Sequence, residues 1–169
     1  MAVTIDATVS GASSNSYCTL AEAETYHENK LFSTVWHAAT EQDKNAALVW
    51  AARLLDELIQ WTGTIASTTQ AMRWPRSGAV NQDDLSIADS VVPDFLKDAQ
   101  AEFAQWLITS DRTKEDKAKG YKEIGIGRGE VKLVIDKYNR AGIIPDVVWQ
   151  MIMYYGVKKK QIARRLVRV

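Results

Sequence analysis

The sequence predicts a mainly α protein, a helical bundle with a small β-hairpin and an extended C-terminal tail. Apolar residues recur at helical spacing over several long segments. Ile, Val and Gly residues cluster after residue 120, which favours a hairpin in that region. The last twelve residues hold six Lys and Arg and no acid. With 169 residues, 46% of them hydrophobic, the chain suits one domain with a buried core.

The N-terminal part, residues 1–16, is predicted to be a flexible arm because its residues are small and polar and offer few apolar anchors. The helical core is predicted over residues 17–110. Thr19 and Glu22 have the spacing of a capping box, in which each side chain satisfies a backbone N–H of the other residue. A first helix should therefore run over residues 20–30.

The second and third helices are predicted from similar signals. Thr40 has the position of an N-cap, and residues 41–61 are apolar around most of a helix circumference, which predicts a central helix. Gly63 is expected to end it. Pro93 suits the first turn of a helix over residues 93–109, where large apolar residues recur every three or four positions.

The part after the core, residues 111–155, is predicted to hold a hairpin and a short helix. Residues 122–136 are rich in Ile and Val; Val131, Leu133 and Ile135 alternate with Lys132 and Val134, and three glycines provide turn positions. These glycines lack the spacing of a dinucleotide-binding loop, and no helix pattern follows them directly. A short helix is expected over residues 145–155, beginning at Pro145.

The net charge of zero hides a strong asymmetry. Residues 1–110 contain six Lys and Arg against fourteen Asp and Glu, a balance of −8, whereas residues 111–169 contain fifteen against seven, a balance of +8. The basic end, residues 156–169, is suited to a polyanion, an acidic protein surface, the other half of the chain or a neighbouring copy. No secretion signal or transmembrane-length apolar run occurs, so a soluble chain made in the cytoplasm, without membrane contact, is expected.

The segment Arg73-Trp74-Pro75-Arg76 is the most informative in the chain. Pro75 has a fixed φ and disfavours helix at Trp74, so a fixed non-helical segment is expected. It has three interpretations. Trp74 could be buried in the bundle while the arginines cap helix ends or pair with acids; the segment could form a subunit contact; or Trp74 could stack on a base while Arg73 and Arg76 bind phosphate.

No arrangement of catalytic residues is found, so the sequence predicts no enzyme, no catalytic residue, no cofactor and no metal site. Cys18 is the only cysteine, and no Cys and His cluster has metal-ligand spacing. His27 and His37 lie in or near helical segments, where structural imidazoles are expected. Asp83 and Asp84 are expected to be solvated turn residues.

Several motifs carry a resemblance to a known family. They are the run 16–23 that opens the first helix, the runs 46–48 and 51–56, the block 70–78 containing Arg-Trp-Pro-Arg, the pair 92–93 and the last five residues, 165–169. Together they resemble a tailed-bacteriophage family labelled "DnaT-like single-stranded DNA-binding protein". The relatives of this family include head-to-tail adaptor, or connector, proteins.

The resemblance implies a virion structural protein of the neck, present in the host cytoplasm during assembly. Such adaptors form a ring below the portal, of about twelve copies, which extends the DNA channel and docks the tail. The implied partners are the portal protein, other copies of the chain, tail or neck proteins and, transiently, packaged double-stranded DNA. The alternative is a single-stranded-DNA-binding accessory protein of replication.

The resemblance also implies site residues. In related adaptors a C-terminal segment clasps the portal, and the positions that match it here are Lys158, Lys159, Lys160, Arg164, Arg165, Leu166, Val167, Arg168 and Val169. Arg73, Trp74 and Arg76 are then a subunit interface or a loop anchor. Because ring subunits meet through different surfaces, an acidic flank meeting a basic flank would favour a ring that weakens with added salt.

Overall fold

The computed structural model describes residues 3–114 and 142–159, together with the backbone of two strands between them. The described helices are α1 (Leu20–Glu28), α2 (Thr34–Ala38), α3 (Glu41–Leu58), α4 (Asp94–Thr109) and α5 (Asp146–Ile152). The described strands are β1 (Ile59–Trp61), β2 (Thr64–Ile65), β3 (Arg76–Ser77), β4 (Glu123–Ile126), β5 (Val131–Val134) and β6 (Gly156–Lys158).

The strands form three antiparallel pairs, β1 with β6, β2 with β3 and β4 with β5. The predicted class, mainly α with a small hairpin, is therefore confirmed. The β4–β5 pair lies inside the predicted hairpin, residues 122–136. The predicted extended tail lies outside the described residues from residue 160 onward.

The core lies between α3 and α4, with α1, α2 and α5 packed around them. Ala51 and Ala52 of α3 and Ala99 of α4 are fully buried, and their small side chains let the two helices approach closely. Leu48 of α3 and Phe103 of α4 are also fully buried. The prediction that the second helix is central to the bundle agrees with this packing.

The helix starts match the capping signals in the sequence. Thr19 Oγ1 accepts from the N–H of Glu22 at 3.2 Å, and Glu22 Oε2 accepts from the N–H of Thr19 at 2.7 Å, so the capping box is confirmed. Thr40 caps α3 by accepting from the N–H of Asp43 at 3.2 Å. Pro93 directly precedes α4 as its N-cap residue.

Two helices end three residues before the predicted boundary, and α1 ends two residues before it, at Glu28. The central helix ends at Leu58, and residues 59–61 form strand β1 instead. In this strand Ile59 and Trp61 are buried and Gln60 is exposed. This period of two is the pattern of a strand with one buried face. The helix predicted over residues 145–155 ends at Ile152, because β6 begins four residues later.

The N-terminal segment, predicted as a flexible arm over residues 1–16, is from residue 3 onward hydrogen-bonded within itself and to the body of the domain. Asp6 and Asn15 are joined by two hydrogen bonds, from Asp6 N to Asn15 Oδ1 at 2.8 Å and from Asn15 N to Asp6 O at 2.9 Å. Gly11 O accepts from the N–H of Ala71 at 3.0 Å, which ties the segment to the body. The small polar side chains of this segment form hydrogen bonds with the backbone of a compact loop.

A candidate interaction site at the C-terminal end of helix α3

Trp74 lies in the core, where only 1% of its surface is exposed. Its ring meets those of Trp61 and Phe95 edge to face, with centroid distances of 5.9 and 5.7 Å. The peptide bond between Trp74 and Pro75 is cis. A ring enclosed in this way cannot stack on a base, so the structure favours the interpretation of Trp74 as a loop anchor.

Arg76 is also buried, and its guanidinium donates hydrogen bonds to backbone carbonyls. Nε donates to Thr62 O at 2.5 Å, Nη1 to Arg73 O at 3.0 Å and Nη2 to Gly63 O at 2.6 Å. Burial lowers the pKa of this guanidinium from its ordinary value. Arg76 therefore fixes the turn between β1 and β2 and is not available to phosphate. It caps turn carbonyls, whereas the sequence suggested helix ends or acids.

Arg73 behaves differently from Arg76, because its side chain is exposed while its backbone is held. Its N–H donates to Asp56 Oδ2 at 3.0 Å and to the hydroxyl of Tyr17 at 3.2 Å, and that hydroxyl in turn donates to Asp56 Oδ1. Burial raises the pKa of Asp56 and, together with the neighbouring carboxylate, that of Tyr17. This network presents the Arg73 guanidinium at the surface beside α3.

The start of the basic C-terminal segment reaches the same end of α3. Gly156, Val157 and Lys158 pair with Trp61, Gln60 and Ile59, respectively. A Cβ at Gly156 would lie 2.7 Å from Ile59 Cγ2 and 2.9 Å from Gln60 O, so the pairing requires glycine there.

Lys159 completes the attachment. Its N–H donates to Leu58 O at 2.8 Å, and its Nζ donates to Asp56 O at 3.1 Å and Glu57 O at 2.9 Å. These carbonyls belong to the last turn of α3, where backbone carbonyls lack intrahelical hydrogen-bond donors. The negative end of the helix dipole also favours a cation there. The ammonium of Lys158 lies 4.6 Å from the Trp149 ring centroid. These contacts hold residues 156–159 against the C-terminal end of α3.

The two regions singled out in the sequence thus meet in one place. A groove of about 690 Å³ lies along the C-terminal end of α3; we call it the α3 groove. Its cations are Arg53, Arg73 and Lys159; its apolar residues include Val49, Ile65 and Met72, and its acids are Asp56 and Glu57. Of the nine predicted docking residues, Lys158 and Lys159 are described, whereas Lys160, Arg164, Arg165, Leu166, Val167, Arg168 and Val169 lie outside the described residues.

Sequence reasoning missed Arg53 as a site residue, although it lies on the polar stripe of α3. Its guanidinium lies 5.5 Å from the ring centroid of Trp50, one turn earlier on the helix. The available signal was an exposed cation on a helix whose other exposed charges are mostly acidic.

The groups with potential chemistry lie elsewhere and are buried. Burial raises the pKa of the Cys18 thiol to about 12. His27 is fully buried, is stacked on Trp36 with a centroid distance of 4.3 Å, and has Nε2 3.0 Å from Ala101 O. Burial lowers the pKa of His27 to about 4. Within residues 3–114 and 142–159, no three His, Cys, Asp or Glu side chains form a group suited to a metal ion.

Comparisons with known proteins give one match. No curated protein and no solved structure matches the chain. None of the described helices is long and apolar enough to cross a membrane. The model of a family described as "Putative DnaT-like ssDNA binding protein" matches residues 1–169. Because that match covers the full length, the chain belongs to this family.

Proposed function

We propose that this protein is a head-to-tail adaptor of a tailed-phage virion, with a structural role and no catalysis. It forms a ring below the portal, extends the DNA channel and docks the tail. The observation that carries this proposal is the attachment of residues 156–159, the start of the basic C-terminal segment, to the end of α3 in a body with an excess of acids. Opposite charge steers such a segment toward an acidic neighbour.

The basic C-terminal segment suits docking because its first residues, 156–159, are held by the domain. Pairing of β6 with β1 and the Lys159 contacts hold residues 156–159 in place. The ten residues that follow can extend to roughly 35 Å, enough to reach the surface of a second protein. They carry four Lys and Arg and the alternating pattern Leu166–Val169, which suits strand addition to a sheet edge.

The described tryptophan side chains support assembly over nucleic-acid binding. Trp74 is enclosed, and the rings of Trp50 and Trp106, each 39% exposed, have Arg53 and Arg112 placed over them at 5.5 and 5.3 Å. Binders of single strands stack bases on open aromatic faces along a basic groove. The body of this chain, by contrast, carries an excess of acids.

Purified virions test the adaptor proposal. Mass spectrometry should detect the chain in mature particles, and labelling with imaging should place it in the neck between head and tail. A variant with Lys160, Arg164, Arg165 and Arg168 changed to Gln should fold like the parent and lose incorporation into particles. Infectious particles that lack the polypeptide would overturn the proposal.

A second candidate function is single-stranded-DNA binding during replication. The family description names this ligand, and the α3 groove with Lys158 gathers four exposed cations at one end of the domain. Binding to single-stranded oligonucleotides, measured over a range of salt concentrations, separates the two functions. Tight binding with the release of several ions would favour replication, whereas weak binding fits a channel through which DNA must slide.

A further inference from the structure

An exposed loop, residues 80–91, combines negative charge with apolar side chains; we call it the acidic loop. Asp83, Asp84 and Asp89 are exposed on it. Leu85 is 64% exposed, and Val80 and Val91 are nearly half exposed. A surface that leaves large apolar side chains in water among like charges is typical of an interaction site.

The acidic loop is held in one shape by its own hydrogen bonds. Asn81 Oδ1 accepts from the N–H groups of Asp83 and Leu85, both at 2.9 Å. Ile87 N donates to Ala79 O at 2.9 Å, and Val80 and Ser86 form a β-bridge. A loop ordered in advance loses little conformational entropy when it docks.

The α3 groove has the complementary composition, with three cations around apolar residues. The ion pairs among the described residues are Lys30–Glu102, Lys44–Glu24 and Lys97–Glu22, so none joins the acidic loop to the groove within one chain. Both surfaces therefore have charges that a second molecule can neutralise.

We propose that the acidic loop of one copy docks in the α3 groove of a second copy. Leu85 then packs on Val49, Ile65 and Met72, while the loop carboxylates face Arg53, Arg73 and Lys159. Because the two surfaces differ, the contact repeats head to tail and closes into a ring when the rotation permits. This inference names the subunit contact of the proposed adaptor ring, and in that sense it rests on the proposed function.

A second copy fits the groove better than a nucleic acid does. The groove places Val49, Ile65 and Met72 beside its cations, together with the acids Asp56 and Glu57. Its apolar residues have no partner in a sugar–phosphate backbone, whereas a Leu flanked by carboxylates satisfies both kinds of surface.

Charge reversal and rescue test the contact in the full-length chain by sedimentation velocity over a range of protein concentrations. The parent should self-associate, and raising salt from about 0.05 M to about 0.5 M should weaken this association. The pair Asp83→Lys and Asp89→Lys should weaken it at least about tenfold, as should the pair Arg53→Glu and Arg73→Glu. Asp84 is left unchanged because its φ of 59° disfavours Lys.

Mixing the two reversed variants should restore association, because the reversed loop of one variant then meets the reversed groove of the other, and combining all four changes in one chain should restore it as well. The pair Glu28→Lys and Glu41→Lys changes net charge by the same amount on exposed residues elsewhere and should have little effect. Leu85→Ser should weaken association at every salt concentration, because it removes an apolar anchor. Circular dichroism must show that each variant is folded.

Three results would overturn the inference. The parent could stay monomeric at every concentration, or the chain that carries all four charge reversals could fail to regain self-association. The third result is a groove variant that loses oligonucleotide binding while its self-association is unchanged. The last result would assign the groove to nucleic acid. The adaptor function fails separately, through absence of the chain from virions, so the two failures are distinguishable.

Discussion

Arg76 Nη2 donates a hydrogen bond of 2.6 Å to the carbonyl oxygen of Gly63, inside the domain. Three residues earlier, Arg73 has its side chain in solvent. The two arginines of one short motif therefore do different work: Arg76 fixes a turn, and Arg73 contributes charge to the α3 groove.

Replacing Arg76 by Met should destabilise the domain by about 3 kcal/mol, because three backbone carbonyls lose a charged donor in a buried place. Chemical denaturation measures the change. The matched variant Arg73→Met should lie within about 0.5 kcal/mol of the parent, since its exposed side chain makes no comparable bond. Equal losses for both variants would show that Arg76 is not the anchor.

Changing Gly156 to Ala should detach the C-terminal segment from α3. The added Cβ meets Ile59 and the carbonyl of Gln60, at a cost of about 2 kcal/mol. Hydrogen exchange at Val157 and Lys159, and protease cleavage after residue 156, should both accelerate. The control is Gly142→Ala, where the nearest atom lies at 3.4 Å. Unchanged exchange in the Gly156 variant would argue against the β1–β6 pairing.

The stability of the domain should fall as the pH drops from about 6.5 toward 4. Burial lowers the pKa of His27 to about 4, so the unfolded chain binds a proton that the folded chain rejects. The loss should be on the order of 2 kcal/mol across this window. His27→Gln should remove this part of the pH dependence, whereas the exposed His37→Gln should retain it. Parallel curves for all three proteins would contradict the assignment.

Gln100 should be essential to the core although it is polar. Its Oε1 accepts from Tyr17 N at 2.8 Å, and its Nε2 donates to Ser16 Oγ at 2.7 Å and Leu48 O at 2.9 Å. Gln100→Leu should cost about 3 kcal/mol in unfolding free energy because these buried groups lose their partner. Gln42→Leu, on the exposed side of α3, should change stability by under about 0.5 kcal/mol in the same thermal or chemical measurement.

Local signals in the sequence predicted most of the fold. The capping box at Thr19, the N-cap at Thr40 and the proline before α4 depend on residues within a single turn, so their positions were readable in advance. The helix α2 was not predicted, because five residues carry too little periodicity to stand out.

The candidate site was predicted only in parts. The pairing of β1 with β6 joins residues almost a hundred positions apart in the sequence. No local sequence pattern predicts which distant strand will pair with β1. The burial of Trp74 and the exposure of Arg73 depend on the same long-range packing, so the sequence left several interpretations of that motif open. The meeting of Arg53, Arg73 and Lys159 in one groove follows from this tertiary arrangement.

The single thiol of the chain offers a practical advantage. Cys18 is 1% exposed, and burial raises its pKa to about 12, so it stays protonated and out of reach of maleimides at neutral pH. A cysteine introduced at Leu85 or at Arg53 would then be the sole reactive position in an otherwise native sequence. Fluorophores or crosslinkers attached there can report directly on distances between neighbouring copies.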